Sequence, residues 1–377
     1  MRILQFAPYY LPYLGGQERY IHNLTMHLIK RGHEVDIITS DYPKCEKGDN
    51  AAVQVHRCSC ICRPLRNPIS PEFLTLGKKI GDYDIVHTHN EHSSAAIAAA
   101  HYRKYYASPL FLTCHGRLIF GTPYMNLIEK VYSRTLGKKI LGICDTIVVN
   151  GVDDRNYILS INPHFQEKIV VLHNAIDPEY FSSFSDSFDR CTDDDTLTIL
   201  FVGRLIRRKG IEWLIKSMKI LKKERRAGKI KCILVGEGED ELYFRKLAGD
   251  YGLKDDVIFL GAVHEEELIS LYKNSDIFVL PSLSEVCPTV VLEAMYFGLP
   301  VITTDIPGIR DHFNGVSLLV PPQNEVSLAD AILCLADNCE LRDDLAIKGM
   351  SRVKSQYTWD RVAANYEQIY AAKLDYT

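Results

Sequence analysis

Residues 277–305, IFVLPSLSEVCPTVVLEAMYFGLPVITTD, read as strand, loop, helix, turn and strand. The run Ile277–Leu280 is short, apolar and closed by Pro281, the pattern of a strand buried on both faces of a parallel sheet. Residues 282–288 are loop. A helix is expected to begin near Pro288 and Thr289, because proline is tolerated at the first helical position. It ends at Phe297 and Gly298, where Pro300 forbids continuation, and residues 301–304 form the next strand. Two carboxylates stand in this unit, Glu285 in the loop and Glu293 one turn into the helix, so both project near the helix N-terminus. That end carries unpaired N–H groups and partial positive charge, and it attracts a phosphate. A carboxylate repels a phosphate but accepts hydrogen bonds from a vicinal diol. Phosphate flanked by two sets of diols describes a sugar nucleotide, with Glu293 on the ribose and Glu285 on the sugar. The spacing alone fits equally a sheet segment carrying two incidental surface acids.

A strand–helix alternation surrounds this stretch. Residues 198–202 are strand, Gly203, Arg204 and Leu205 open a loop, and Lys209 and Gly210 precede a helix over 211–223. Arg204 and Lys209 thus sit on the same sheet edge as Glu285, where an arginine fork and a lysine point charge can neutralise a diphosphate. The alternative is a solvated basic loop of Arg204, Arg207, Arg208 and Lys209. Residues 230–235 are strand, followed by Gly236-Glu237-Gly238 and a helix from Asp240. The third glycine of a G-x-G-x-x-G fingerprint is replaced by Glu241, which argues against a dinucleotide-dependent oxidoreductase. Strands at 257–260 and 317–320 and helices at 264–272, 326–336, 340–357 and 360–372 complete this half.

The first half has the same rhythm. Residues 2–7 are strand, and a loop ending in Gly15 and Gly16 leads into a helix over 17–30 with Tyr20, Leu24, His27 and Leu28 on one stripe. The glycine pair either lets backbone approach a ligand or makes a tight turn. A strand over 34–39 follows. Residues 53–62 alternate, placing Cys58, Cys60 and Cys62 on one strand face with His56 in phase. That spacing is not a usual zinc pattern, so these are read as buried or half-buried structural thiols. Residues 84–89 are strand, 93–106 an alanine-rich helix, and 110–114 a strand ending in His115 and Gly116, on the edge where open α/β sheets bind ligands. A helix over 124–140 carries Lys130, Arg134, Lys138 and Lys139 among apolar residues. It is read as a solvated face, with an anionic membrane surface as the alternative. Strands at 146–149 and 168–172 flank a helix from Val152. Residues 181–195 are rich in serine and aspartate and are read as a linker. The run Asp193, Asp194, Asp195 could bind a divalent metal but is read as solvated.

A chain of 377 residues is expected to form two or three domains. Its 44 basic and 48 acidic residues give a net charge of -4, with no nucleic-acid footprint. No apolar run is long enough to span a bilayer, and the N-terminal run is read as a strand rather than a signal peptide. Eleven cysteines, an odd number, are read as reduced thiols of a cytoplasmic protein, at the inner face of the membrane if the helix over 124–140 touches lipid.

Taken in order, Gly15–Gly16, His115–Gly116, His173–Asn174 through Phe181, Gly203-Arg204-Leu205 with Lys209–Gly210, Gly236-Glu237-Gly238, and Glu285 with Glu293 as E-x7-E resemble the retaining glycosyltransferases of family 4. The resemblance implies an α/β chain of the GT-B fold, two Rossmann-like doubly wound parallel-sheet domains facing a cleft. Residues 1–181 would be the acceptor-side domain, 196–358 the nucleotide-sugar domain, and 359–377 a helix returning to the first. It implies a UDP- or GDP-sugar donor, a glycan or lipid-linked acceptor, no nucleic acid and no metal. Arg204 and Lys209 would contact the diphosphate, with Gly203, Gly236, Glu237, Pro288, Thr289 and Val290 lining the donor site. Glu293 would take the ribose and Glu285 the sugar. Gly15, Gly16 and His115 would meet the phosphates and the sugar from the other domain. The acceptor would be read by the variable loop 42–62. Where the family has glycine and phenylalanine after the first glutamate, this chain has Val286 and Cys287. Two rival readings are a sugar-nucleotide epimerase on a similar fold, which would need a carboxylate or histidine pair around the sugar, and an inactive nucleotide-sugar-binding regulator.

Overall fold

The structure is a computed structural model that describes residues 1–13, 15–44, 52–116, 123–182, 196–224 and 229–374. Most of the expected linker, including the aspartate run 193–195, lies outside the described residues, as does part of the loop 42–62. The chain forms two compact units, residues 1–174 with 359–377 and residues 175–358.

The first unit holds β1 (Arg2–Phe6), β2 (Glu34–Ser40), β3 (Gln54–Cys58), β4 (Ile85–His89), β5 (Leu110–Cys114), β6 (Thr146–Val149) and β7 (Ile169–Val171). They pair in parallel in the order β3-β2-β1-β4-β5-β6-β7. β4, β5 and β6 are buried at every position, as central strands covered by helices on both faces must be. The second unit repeats the plan with β8 (Thr196–Val202), β9 (Lys229–Val235), β10 (Val257–Gly261), β11 (Ile277–Leu280), β12 (Val301–Thr304) and β13 (Leu318–Val320), in the order β10-β9-β8-β11-β12-β13. In each sheet the winding reverses once, between β1 and β4 and between β8 and β11. Ligands of open α/β sheets bind outside the carboxyl ends of strands at such a reversal.

The helix Trp359–Leu374 packs on the first unit, where Trp359, Tyr366 and Tyr370 are buried. Each such ring removes ~200 Å² from water, worth several kcal/mol. β4 is IVHTH, so its apolar pattern carries polar side chains into the core, and these need partners. Thr88 donates to the Phe6 carbonyl at 3.2 Å, and for His87 the last helix supplies one partner. The Tyr370 hydroxyl lies 2.7 Å from His87 Nδ1, His87 Nε2 lies 2.8 Å from Thr113 Oγ1, and that hydroxyl reaches Tyr366 at 2.7 Å. Tyr366 meets Tyr20 at 2.9 Å.

Several local expectations change. The alternation beyond Gln54 does not run to Cys62. The strand stops at Cys58, after which the Cys60 N–H turns to Asp41 Oδ1 at 2.8 Å and Cys62 bridges to Ile69. Cys58 is buried, Cys60 half-buried and Cys62 exposed, so the three share no face. The alanine-rich helix is only Ser94–Tyr102, with the Ser93 hydroxyl accepting from the Ala96 N–H as its cap. Phe181, expected in the linker, lies in a short helix, Pro178–Ser182, and packs against Tyr296 and Phe297. The helix from Tyr124 continues through a π turn, Ser133–Gly137, to Ile143. Helices Glu72–Ile80 and Pro307–Phe313 have no counterpart in the sequence reading.

Candidate active site

In the second unit, the loops after β8 and β11 emerge side by side because those strands are neighbours in the sheet. Gly210, with a left-handed φ of 71°, lets them touch: a Cβ there would lie 2.7 Å from the Pro281 carbonyl carbon. The Leu283 N–H donates to the Arg208 carbonyl at 2.8 Å, locking the two loops together. This contact delivers Lys209 to Glu285, with Nζ 2.5 Å from Oε1 and the two side chains 15% and 11% exposed. The Ser282 hydroxyl donates to the same oxygen at 2.8 Å, and Thr304 Oγ1 donates to the Ser282 carbonyl. Water reaches this pair poorly, so a charge placed beside it is screened less than at an open surface. Arg204 is exposed beside it in sequence, on the same loop.

Gly236-Glu237-Gly238 serves loop packing. A Cβ on Gly236, whose φ is 122°, would lie 2.9 Å from the Gly203 carbonyl carbon. The Leu205 N–H donates to the Glu237 carbonyl at 2.9 Å, which seats the loop after β8 on the loop after β9. The helix Thr289–Tyr296 begins at Pro288 with extended backbone and no side-chain cap, leaving its first turn open to an anion. Within it, Glu293 Oε2 accepts from the Tyr272 hydroxyl at 2.9 Å, and Tyr272 stacks on Phe297. Behind Glu285 stands the unforeseen helix Pro307–Phe313. A Cβ on its Gly308 would lie 2.9 Å from Val286 Cα, so that glycine, visible as Pro-Gly in the sequence, admits the glutamate loop.

The first unit has its own cluster at the β1/β4 reversal. Gly15 caps the helix Gly16–Lys30, and Glu18 three residues on folds back beside it, with its carboxyl carbon 3.4 Å from where a Gly15 Cβ would be. Glu18 is buried, and burial raises its pKa. Gly15 therefore faces a carboxylate of its own chain, at the spacing of a capping box, while the space beside Gly16 is open.

His115 Nε2 lies 3.1 Å from His89 Nδ1, and His89 Nε2 lies 3.1 Å from Gln5 Oε1. The Gln5 amide nitrogen donates to Thr25 Oγ1 at 2.9 Å. The network assigns the protons. Gln5 offers an oxygen, so His89 carries its proton on Nε2 and presents a bare Nδ1. His115 must then donate from Nε2, and its own Nδ1 is an acceptor. Burial lowers the pKa of His115 to about 3, keeping the ring neutral. The Asn90 side chain accepts from the His115 N–H at 2.9 Å and donates to Gln17 at 2.6 Å.

Near Gly116, Asp154 is buried with Oδ2 unpartnered, and burial raises its pKa to about 7. Glu91, also buried, accepts from the Tyr157 hydroxyl at 3.3 Å. Sequence reasoning singled out none of Gln5, Glu18, His89, Glu91 or Asp154. Only the Glu18 capping spacing and the paired histidines of IVHTH offered a signal. Among the described residues no cluster of three or more metal-ligating side chains occurs.

Known proteins resemble this chain over nearly its full length. The family description Glycosyl transferases group 1 matches residues 184–352, and Glycosyltransferase Family 4 matches residues 14–180. An uncharacterized glycosyltransferase of Methanocaldococcus jannaschii is 29% identical over 96% of this chain and 95% of its own. One chain of the human phosphatidylinositol N-acetylglucosaminyltransferase is 27% identical over 98% of this chain and 75% of its own. Among solved structures, Anabaena HepE in complex with UDP and glucose superposes with a TM-score of 0.73 at 16% identity, covering 99% of this chain and 100% of that one.

Proposed function

Because the chain belongs to the glycosyltransferases of family 4, the glycosyl transferases group 1, with the GT-B fold, we propose that it transfers a hexosyl group from a UDP- or GDP-sugar to a glycan or lipid-linked acceptor with retention of configuration. The observation that carries this reading is the Lys209–Glu285 pair at the β8/β11 reversal, beside a helix start that no side chain caps. A diphosphate on that helix start draws on Lys209 and on Arg204, whose cations stabilise the charge that grows on the leaving group. Glu285, released from Lys209, accepts hydrogen bonds from the transferred sugar. Glu293 accepts from the ribose. Gly203, Gly236, Glu237, Pro288, Thr289 and Val290 shape the donor site through their backbone.

Within the first unit, Gly15, Gly16 and His115 mark a sugar-binding edge at the β1/β4 reversal. With Glu18 beside Gly15 and a bare Nδ1 on His115, sugar hydroxyls suit this edge better than phosphate. In the reaction the bond from the anomeric carbon to the diphosphate oxygen breaks, and the acceptor oxygen bonds that carbon on the same face. The acceptor proton passes to a departing phosphate oxygen. The human relative, a phosphatidylinositol N-acetylglucosaminyltransferase chain by name, supports a lipid among the candidate acceptors. No metal is assigned a role, since Arg204 and Lys209 supply the positive charge.

Calorimetric titration of the protein with UDP, GDP and ADP, then with sugar conjugates of the one that binds, tests the reading. One nucleotide should bind clearly and its sugar conjugate should turn over with an acceptor. Binding without transfer or hydrolysis would favour a regulator, and no binding at all would remove the donor-site assignment.

A further inference from the structure

We propose that Tyr272 is a positioning residue for the donor nucleotide and that, through Glu293, it makes the site select ribonucleotide over 2′-deoxyribonucleotide sugars. The inference rests on the assignment of Glu293 to the ribose. Tyr272 lies on the helix Glu265–Asn274, where Ile269 and Tyr272 are buried one turn apart on the face that packs toward β8. Core packing accounts for the ring but not for its hydroxyl. Phenylalanine would fill the same volume, and a buried phenol oxygen must find a partner. Here that partner is Glu293, the one acid of the helix Thr289–Tyr296.

The ring is held from several sides. It is 1% exposed, stacks on Phe297 at 5.5 Å and 13°, and tilts against Phe278 at 6.0 Å. Phe297 is itself met edge-on by Phe181 at 5.2 Å. A ring fixed in this way leaves its hydroxyl only the torsion about the C–O bond. The hydroxyl reaches Glu293 Oε2 at 2.9 Å and the Val290 carbonyl only at 3.5 Å, so the shorter bond to the carboxylate is favoured over the longer one to a neutral carbonyl.

This bond sets the plane of the carboxylate. The terminal torsion of a glutamate is broad, and an unheld carboxylate turns freely. A vicinal diol donates to both oxygens only when their plane is presented to it. A carboxylate has about four acceptor positions, so donation by Tyr272 orients the group without exhausting it. Val290 belongs to the first turn of the same helix, whose start lacks a side-chain cap. One rigid ring thus fixes the ribose acceptor relative to the diphosphate site before the ligand arrives, and freedom removed beforehand is not lost on binding. A ribose diol meets the held oxygens with two hydrogen bonds. A 2′-deoxyribose offers one and leaves the other acceptor unpaired, which is how a site built for a hydroxyl rejects the analogue lacking it.

Calorimetry with UDP, GDP and ADP beside their 2′-deoxy forms tests this. For the base that binds, the wild type should take the ribonucleotide roughly ten- to a hundredfold tighter than the deoxy form, the worth of one hydrogen bond to a charged group. Tyr272→Phe should weaken the ribonucleotide by roughly tenfold, with much less effect on the deoxy form, so that the preference narrows. In a Glu293→Ala background, Tyr272→Phe should not change the preference further, because the two residues act as one unit. With the matching sugar nucleotide, the loss in Tyr272→Phe should fall on KM rather than kcat, since the ribose gains no charge as the bond breaks. A hydroxyl with only a structural role would lower Tm and weaken both nucleotides alike. An unchanged preference in Tyr272→Phe, or equal losses for the two forms, would overturn the inference and leave the donor site standing. A wild type without any ribose preference would remove the assignment of Glu293 as well, and no binding of any nucleotide would remove the donor site itself.

Discussion

Lys209→Ala separates the two roles that the geometry gives to one ammonium group. In the structure Nζ sits 2.5 Å from Glu285 Oε1 in a site where both side chains are nearly buried. A unit charge ~4 Å from a departing diphosphate, at an effective dielectric near 20, contributes about 4 kcal/mol. The neighbouring Glu285 carboxylate offsets about half of that, leaving ~2 kcal/mol, or roughly a 30-fold loss of turnover. The charge on the diphosphate grows as the bond breaks, so kcat should fall more than KM rises. The same substitution also leaves Glu285 with only the Ser282 hydroxyl. An uncompensated half-buried carboxylate costs ~1–2 kcal/mol of stability, visible as a lower Tm. Adding Glu285→Gln removes that charge, so the double variant should regain the lost Tm while staying slow. Steady-state kinetics with the cognate nucleotide sugar, alongside thermal melts of the two variants, read both effects. Near-wild-type turnover in Lys209→Ala would refute the assignment of this lysine to the leaving group.

Further outcomes follow from other positions. Asp154 has its pKa raised by burial from 3.8 to about 7, so the folded state holds the proton more tightly than the unfolded chain. Its contribution to stability is complete below about pH 4 and is lost as pH rises through about 7, by ~4 kcal/mol at most. Asp154→Asn should therefore raise Tm more at pH 8 than at pH 4, and an equal shift at both would contradict the buried, protonated carboxyl. Gly236→Ala would drive a side chain into the Gly203 backbone at a φ of 122°, costing about 1–3 kcal/mol of strain. Nucleotide affinity measured by calorimetry should drop by an order of magnitude or more, and unchanged affinity would detach that loop contact from the donor site. Chelation with EDTA should leave turnover intact. A strict metal requirement would take charge neutralisation away from Arg204 and Lys209.

The fold was readable because both sheets are parallel. Strands buried on both faces write themselves as apolar runs, such as FLTC after Leu110 and IFVL at Ile277, closed by Gly, Pro or a polar residue. Short helices were not readable. Glu72–Ile80 is interrupted by Gly77, and Pro307–Phe313 spans only seven residues. The cysteine alternation misled because a side-chain period of two says nothing about where pairing ends, and here the Asp41 carboxylate draws the chain away after Cys58. Candidate site residues at strand ends, such as His115, Arg204 and Glu285, could be named because topology fixes where strand ends gather. Gln5 and His89 could not, since the contact that gives them meaning joins positions 84 apart in sequence. The Lys209–Glu285 distance is likewise a product of Gly210 meeting Pro281, a long-range fit that no local pattern records.

The final helix bears on how this protein is made. His87 and Thr113 lie in the middle of the first sheet, yet their hydroxyl partners, Tyr370 and Tyr366, leave the ribosome 283 and 253 residues later. A nascent chain can lay down β1 to β7 long before that, but until the helix Trp359–Leu374 docks, His87 and Thr113 have only each other and lack the Tyr370 and Tyr366 hydroxyls. A message cut short before Trp359 would yield a first unit that is chemically complete in its strands and unsatisfied at its centre, and therefore a target for proteolysis. Folding of the first unit thus doubles as a check that the chain was made at least as far as the helix Trp359–Leu374.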